Sequence, residues 1–248
     1  EAEVQRVSVS ANALQSLQTV VNRAGVRVDY PVLAVLAAAE AVAHEDERDM
    51  GVAVIDLGAG AAKIALFAEN ALTFVAVQGY GADYFIKDLS IGCKTSAQNA
   101  ERILKRHGCA LSSLVQEDET VEVEGTQGRK AQLFSRKFIA DILQPRAEEI
   151  LGLLRDEVKA AGLEKSFPAG VILTGGGAML EGMPEIAESV FGLQARLGYP
   201  EEVGGLQDMV GYPLYATGVG LLKWAKKHAA REQRGGMSGM LRNIFGRR

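Results

Sequence analysis

The run GVAVIDLGAGAAKIALF contains the first residues of this chain whose types and spacing could do chemistry. In it, Asp56 ends an apolar segment, and Gly58 and Gly60 follow. A carboxylate is costly to bury without a partner, and ligands bind at strand ends in α/β sheets. Glycines let backbone N–H groups approach an anion closely. The pattern predicts either a phosphate-binding turn, in which Asp56 holds a hydrated divalent metal or orients a water, or a tight hairpin with an exposed aspartate.

A second apolar run, VILTGGGAML, also ends in glycines. Val171–Leu173 is typical of a buried strand, and Gly175, Gly176 and Gly177 follow it. The spacing is neither that of a Walker loop nor that of a GxGxxG fingerprint, and ordinary turns also use glycine freely. Two strand–glycine turns in one chain are more informative than either alone, because they could clamp one ligand from two sides.

A third candidate lies on a predicted amphipathic helix, Ser96–His107. Its apolar positions are predicted to face the core, whereas Glu101 and Lys105 share another face at i and i+4. From spacing alone, this pair indicates an exposed ion pair worth a few tenths of a kcal/mol.

The elements that must position these residues are short strands and helices. Strands are predicted at Val4–Ser10, Gly51–Leu57, Lys63–Ala68 and Leu72–Gln78, the last three as antiparallel hairpins. Between the first two lie a helix that stops at Gly25, a short strand, an alanine-rich helix from about Pro31 and a charged loop, HEDERDM.

The second part of the chain continues this alternation. A helix is predicted from about Ala82, and a capping box of Thr95 and Gln98 begins another that ends at Gly108. The predicted elements that follow are a hairpin turning at Gly125–Gly128, a long helix Ser135–Ala161, the second glycine-ended strand, and then a helix, a short strand and a helix through His228. The class is α/β with some antiparallel pairing.

Composition excludes several classes of function. The 248 residues are 48% hydrophobic, and a net charge of -4 gives no electrostatic footprint for nucleic acid. Two cysteines are too few for a disulfide framework and indicate a reducing compartment. No apolar run reaches the roughly 18 residues that a membrane span needs. The first residue is Glu, and we expect the chain to be a fragment that lacks an N-terminal part.

Taken together, these motifs resemble those of the actin, heat-shock chaperone and sugar kinase superfamily. VIDLGAGAAKIALF resembles its second phosphate motif and VILTGGGAML its adenosine motif. The segments EDERDMGVAVIDLGAG, ERILKRHGCALSSLV and PLYATGVGLLKWAKK most resemble FtsA, the family of bacterial cell-division actin homologues. The resemblance runs from about residue 4 to 228 in the family's order. It implies an actin-like (ribonuclease H-like) ATPase fold, with mixed sheets flanked by helices and a C-terminal amphipathic helix.

The resemblance also implies a division into subdomains. Residues 1–50 would be the later part of the first actin-like half, subdomain IA, to which residues 212–228 return as a helix. Residues 51–92 and 167–211 would form subdomain IIA, with 93–166 inserted as subdomain IIB. Residues 229–236 would be a linker and 237–248 a membrane-targeting helix. The first phosphate motif is absent from the chain.

Site residues follow from the resemblance position by position, with ATP and Mg2+ as the implied cofactors. Asp56 falls on the position that serves the metal, through water, and the attacking water. Gly58 and Gly60 fall on the phosphate turn. The glycines Gly175, Gly176 and Gly177 fall on the adenosine turn, and the pair Glu101 and Lys105 falls on the position that reaches ribose and adenine.

The phosphate turn departs from the family pattern. The family continues it as Gly-Thr-Thr-Asp or Gly-Thr-Met-Asp, whereas this chain has alanines at 61 and 62 and then Lys63. A charged lysine could pair with phosphate but cannot accept a proton from water. Ala34 stands where filament-forming relatives carry a water-activating carboxylate, and Glu40 is out of register. We therefore expect ATP binding with slow or absent hydrolysis, and we assign no catalytic residue.

The C-terminal tail has the pattern of a basic amphipathic helix. Its apolar face comprises Met237, Met240, Leu241, Ile244 and Phe245, and its basic residues are Arg242, Arg247 and Arg248. Such a helix suits an anionic leaflet. The alternatives are a helix docked on its own domain and a disordered tail.

The function implied by the resemblance is that of a peripheral membrane protein. It would polymerise with itself, bind the C-terminal peptide of FtsZ, tether FtsZ to the anionic inner leaflet at the division septum and recruit later division proteins. It would lie on the cytoplasmic face of the inner membrane and bind no nucleic acid. The alternatives are a phosphotransferase of the sugar or acetate kinase type and a pilus-assembly or shape-determining actin relative.

Overall fold

A computed structural model describes residues 6–125, 130–205 and 207–228. Its centre is a five-stranded sheet in the order β3-β2-β1-β6-β7, and a two-stranded sheet β4-β5 lies apart from it. The strands are β1 Val52–Leu57, β2 Ala62–Ala68, β3 Ala71–Gln78, β4 Thr120–Val123, β5 Gln132–Ser135, β6 Val171–Thr174 and β7 Ala195–Leu197. These bounds confirm the strands predicted from Gly51 onward.

The chain also contains helices, several of which pack on the two faces of the five-stranded sheet. They are α1 Ala11–Arg23, α2 Ala34–Val42, α3 Glu45–Met50, α4 Asp83–Gly92, α5 Ala97–His107, α6 Arg136–Ala160, α7 Met183–Phe191, α8 Gln207–Val210 and α9 over residues 216–228. Short 3-10 helices span Ser112–Leu114, Gly176–Met179 and Pro213–Tyr215. Within the described ranges, no helix has the length and apolar character needed to cross a bilayer.

Two apolar layers cover the two faces of the sheet. Alternate residues of β1 contribute to each, because successive side chains of a strand point to opposite faces. Ile55 packs with α4, α6 and α7 in one layer, and Val54 packs with α2 and α9 in the other. Burial on both faces explains why β1 and β6 are continuous apolar runs rather than alternating ones.

Register brings the two predicted glycine turns together. β1 pairs antiparallel with β2 and parallel with β6, so that Asp56 lies opposite Lys63 on one side and Thr174 on the other. Because parallel strands end at the same edge of a sheet, both turns leave from neighbouring positions. They are therefore side by side rather than on opposite flanks of a crevice.

The N-terminal region departs from the predicted strands. Residues 6–10 and 26–30 lie in no strand, and α2 begins at Ala34 rather than at Pro31. The predicted helix α1 is present and Gly25 follows it with a φ of +82°, but no residue of α1 is buried. Alternation alone predicted a strand for residues 6–10, which have no neighbouring strand in the described part of the chain.

The charged segment HEDERDM is a helix, α3, and not the predicted loop. A capping box explains why it forms: the His44 side chain caps the backbone of Glu47, and the Glu47 carboxylate accepts a hydrogen bond of 2.9 Å from the His44 N–H. Arg196 of β7 then donates to both oxygens of Glu47, at 2.8 and 2.7 Å, and to the Val42 carbonyl at 2.9 Å. Tertiary contacts thus fix a helix whose sequence is almost wholly charged.

This ion pair predicts an acid-sensitive contribution to stability. Burial raises the pKa of Glu47, but the hydrogen bonds from Arg196 and the His44 N–H outweigh burial, so the pKa of Glu47 lies below its usual 4.5. A depressed carboxyl pKa stabilises the fold above pH 4.5, and the stabilisation is lost as pH falls through the depressed value. Glu47→Gln should therefore lower the free energy of unfolding by about 1–2 kcal/mol at pH 7 and by much less at pH 3.

Urea unfolding of both proteins at several pH values measures this difference. Glu45→Gln, an exposed carboxyl in the same helix, is the matched control and should change stability by only a few tenths of a kcal/mol. A gap between wild type and Glu47→Gln that stays constant down to pH 3 would contradict the assignment.

The capping residue of α5 differs from the predicted one. Ser96 is the N-cap, and its Oγ accepts a hydrogen bond of 3.2 Å from the Asn99 N–H. Thr95 is buried instead and donates to the Glu124 carbonyl at 2.6 Å, which ties the β4–β5 hairpin to the helices. The helix ends at Gly108 as predicted. Of the hairpin turn predicted at Gly125–Gly128, residues 126–128 lie outside the described residues.

Candidate functional site

The first glycine turn connects β1 to β2. Its carbonyls are occupied, because Gly58 and Ala59 accept hydrogen bonds of 2.9 Å from the N–H groups of Ala82 and Asp83 at the start of α4. The N–H groups at its exposed residues are free: in the described part of the chain, those of Ala59 and Gly60 donate no hydrogen bond. Because the carbonyls of this turn are already bonded and two of its amides are free, the turn is suited to accepting an anion.

The second glycine turn packs directly on the end of β1. A side chain at Gly175 would meet Asp56 Oδ1 and the Leu57 carbonyl, each at 2.6 Å, and one at Gly177 would meet the Leu57 side chain. The Gly175 N–H donates to the Pro213 carbonyl at 3.1 Å. Gly176 is exposed, and among the described residues its N–H donates no hydrogen bond. The two turns therefore present free amides at one edge of the sheet.

Asp56, at the end of β1 between the two turns, is ion-paired. The Nζ of Lys63 lies 2.9 Å from Asp56 Oδ2, and the two side chains are 22% and 8% exposed. Sequence reasoning treated Lys63 as a partner for phosphate and missed this pair. The signal that could have found it is register, because a four-residue connection between antiparallel strands places residue 63 opposite residue 56.

The residues at Asp56 do not fit a protein-held Mg2+. Hard divalent cations prefer several oxygen ligands, whereas Asp56 is already paired with an ammonium. No group of three or more His, Cys, Asp or Glu side chains that could hold a metal ion occurs within the described ranges. A metal would therefore have to compete with the Lys63 ammonium for the Asp56 carboxylate.

The predicted ribose and adenine pair lies on the exposed side of α5. Lys105 Nζ is 2.6 Å from Glu101 Oε1, and the side chains are 71% and 46% exposed. They line a shallow surface groove with Gln98, Arg102 and Arg106. The segment that follows α5 contacts the segment that follows the second glycine turn, because the Ala110 N–H donates to the Glu181 carbonyl at 2.6 Å. No ion pair of the described residues joins Glu101 or Lys105 to either turn.

Two further predicted positions can be placed. Ala34 begins α2, and Glu40 lies within it. Glu40 pairs with Arg48 at 3.1 Å and with Lys227 at 3.5 Å, so its carboxylate ties α2 to α3 and α9. All the predicted membrane residues, Met237, Met240, Leu241, Arg242, Ile244, Phe245, Arg247 and Arg248, lie outside the described residues.

Comparisons with known proteins identify the family and the fold. A family model described as Cell division protein FtsA matches residues 53–220. The chain is 39% identical over 224 residues to the cell division protein FtsA of Pseudomonas aeruginosa, covering 90% of this chain and 54% of that protein. It is 36% identical over 234 residues to that of Escherichia coli K12, covering 92% and 56%. The chain thus spans about half the length of the relatives it matches.

Among solved structures, MreB5 of Spiroplasma citri bound to ADP superposes with a TM-score of 0.74 at 15% sequence identity. The match covers 91% of this chain and 68% of that one. A likeness at this identity shows the fold alone, and it confirms the actin-like fold that the motifs predicted. Since the family model spans well over half of the residues, from β1 into α9, the chain belongs to the FtsA family of cell-division proteins.

Proposed function

We propose that this protein is an ATP-binding, actin-like cell-division protein. The observation that carries the proposal is the pair of neighbouring glycine turns, whose free amides at Ala59, Gly60 and Gly176 face one edge of the sheet. Free backbone N–H groups at strand ends are how such folds hold phosphates. The ADP in the MreB5 relative supports a nucleotide as the ligand class. The exposed pair Glu101 and Lys105 would reach the ribose and adenine.

The proposed subdomains follow the two sheets. The five-stranded sheet draws its strands from residues 51–92 and 167–211, proposed as IIA, and the two-stranded sheet lies in residues 93–166, proposed as IIB. In this proposal, α2 and α9 belong to IA. Self-association into a filament, recruitment of later division proteins and binding of the FtsZ C-terminal peptide to the inserted IIB are proposed from family membership.

Hydrolysis is expected to be slow or absent. Asp56 is engaged by Lys63, and Glu40 is engaged by Arg48 and Lys227, so neither carboxylate is free to activate a water. ATP would then act as a conformational ligand that stabilises the polymer. Rapid turnover with a sugar or acetate acceptor would favour the phosphotransferase alternative instead.

The tail is proposed as the anchor on the inner leaflet. Its five apolar side chains offer roughly 5–10 kcal/mol if mostly buried. Ordering about twelve residues costs more than ~1 kcal/mol each, and basic residues near an anionic surface return roughly 1 kcal/mol apiece. A single tail should therefore bind weakly and reversibly, whereas many tails on one filament should bind firmly.

Co-sedimentation with vesicles tests the tether as a whole. The intact protein should carry a labelled FtsZ C-terminal peptide into the pellet of anionic vesicles, and deletion of residues 237–248 should reduce the pelleted peptide by about tenfold or more. Asn243→Gln, on the polar side of the tail, is the control and should pellet like wild type. Unchanged pelleting after the deletion would exclude the tail as anchor, and peptide that stays in the supernatant while the protein pellets would exclude the FtsZ contact.

A further inference from the structure

The ion pair at the end of β1 places a fixed positive charge beside the two glycine turns. Lys63 Nζ is 2.9 Å from Asp56 Oδ2 and lies close to the first turn, since a side chain at Gly58 would come within 3.4 Å of it. Asp56 Oδ1 in turn abuts Gly175 of the second turn. The ammonium is therefore held at the junction of the two turns by a carboxylate that is almost fully buried.

This ammonium has unused hydrogen-bonding capacity. An ammonium group has three N–H donors, and in the described part of the chain the one hydrogen bond of the Lys63 ammonium goes to Asp56. The side chain is 22% exposed, so its remaining donors can be reached from outside. A lysine binds phosphate as a point charge, and here it would act together with the free amides of Ala59 and Gly60.

We infer that the ammonium of Lys63 takes the place of a divalent cation, so that this protein binds nucleoside triphosphates without Mg2+. The inference rests on the proposed nucleotide binding. It follows from the poor fit of Asp56 to a metal, because a divalent cation held by Asp56, directly or through a water, would compete for this carboxylate with the Lys63 ammonium 2.9 Å away and would be repelled by its charge. The lysine supplies the counter-charge to the phosphates, and Asp56 positions the lysine.

Nucleotide binding by the intact protein, measured with a fluorescent ATP analogue in Mg2+ and in EDTA, tests this. The wild-type dissociation constant should differ by less than about threefold between the two conditions. Lys63→Met, which keeps the aliphatic stem and removes the charge, should weaken binding in EDTA by about tenfold or more. Lys63→Asp places two carboxylates opposite each other and should make binding at least about tenfold tighter in Mg2+ than in EDTA.

Two controls distinguish weaker nucleotide binding caused by loss of the Lys63 charge from weaker binding caused by misfolding. Lys137→Met removes a surface lysine that also lies 2.9 Å from a carboxylate, that of Glu117, and should bind nucleotide like wild type in both conditions. The double variant Asp56→Asn with Lys63→Met leaves no unpaired charge, so a native melting temperature with weakened binding in EDTA would support the inference.

The outcomes distinguish the inference from the function on which it rests. Wild-type binding that weakens by about tenfold or more in EDTA would overturn the inference and leave nucleotide binding intact. Unchanged binding of Lys63→Met in EDTA would overturn it as well. An absence of binding in both conditions would overturn the inference together with the proposed nucleotide function.

Discussion

Replacing Gly220 by alanine should lower the free energy of unfolding by about 3 kcal/mol, which corresponds to a fall in melting temperature of about 6–12 °C. Gly220 is buried in α9 where that helix crosses α2. A Cβ there would lie 1.6 Å from the carbonyl oxygen and 2.3 Å from the carbonyl carbon of Ala37. These are backbone atoms, so no side chain can rotate away and one of the two helices must move.

Moving α9 would open the apolar layer that covers one face of the sheet. Val219 and Ala216 of α9 pack in that layer with Val35 and Val54. The loss of this packing outweighs the higher helix propensity of alanine, which by itself would stabilise α9 by up to about 1 kcal/mol.

Gly218 provides the matched control, since it lies in the same helix and a Cβ there meets nothing within 4 Å. Gly218→Ala should be neutral or should stabilise the protein by up to about 1 kcal/mol. Thermal unfolding of the two variants beside wild type gives the comparison. Equal melting temperatures for Gly218→Ala and Gly220→Ala would contradict the close crossing of α2 and α9.

Replacing Gly175 by alanine should abolish nucleotide binding, with a loss of affinity of more than about a hundredfold. Gly175 has a φ of +87° and a ψ of 166°, a conformation that costs a residue with a side chain on the order of 1–3 kcal/mol. An added Cβ would also meet Asp56 Oδ1 and the Leu57 carbonyl at 2.6 Å. The substitution therefore displaces Asp56 or the second turn and separates the two sets of free amides.

The control for backbone strain is Gly192, which caps α7 in the left-handed conformation with a φ of +67° and where an added Cβ would meet nothing within 4 Å. Gly192→Ala should cost about 1–2 kcal/mol of stability and leave nucleotide affinity unchanged. Titration with a fluorescent ATP analogue, at a temperature where both variants remain folded, separates the two effects. Wild-type affinity in Gly175→Ala would show that the turns need not be adjacent for binding.

The sheet and its two glycine turns could be predicted because their signals are local. A buried strand needs a continuous apolar run, and the turns after β1 and β6 need glycine, so both features are visible in the sequence. The long helix α6 was predicted for the same reason, since its apolar periodicity extends over many turns.

The features that were missed depend on partners that are distant in sequence or on register. The charged segment of α3 is helical in part because Arg196, from β7, donates hydrogen bonds to Glu47. Thr95 is buried under the β4–β5 hairpin rather than capping α5. The pair of Lys63 with Asp56 requires knowledge of which residues face each other across β1 and β2. None of these contacts produces a repeating pattern of residue types that could be recognised in a single sequence.

The position of the nucleotide phosphates decides whether the two glycine turns form the binding site, and a crystal structure of the intact protein with a non-hydrolysable ATP analogue measures it directly. We expect the triphosphate to accept hydrogen bonds from the N–H groups of Ala59, Gly60 and Gly176, with Lys63 still paired to Asp56 beside it. Phosphate density elsewhere, for instance on the exposed face of α5 with no contact to either glycine turn, would contradict the account.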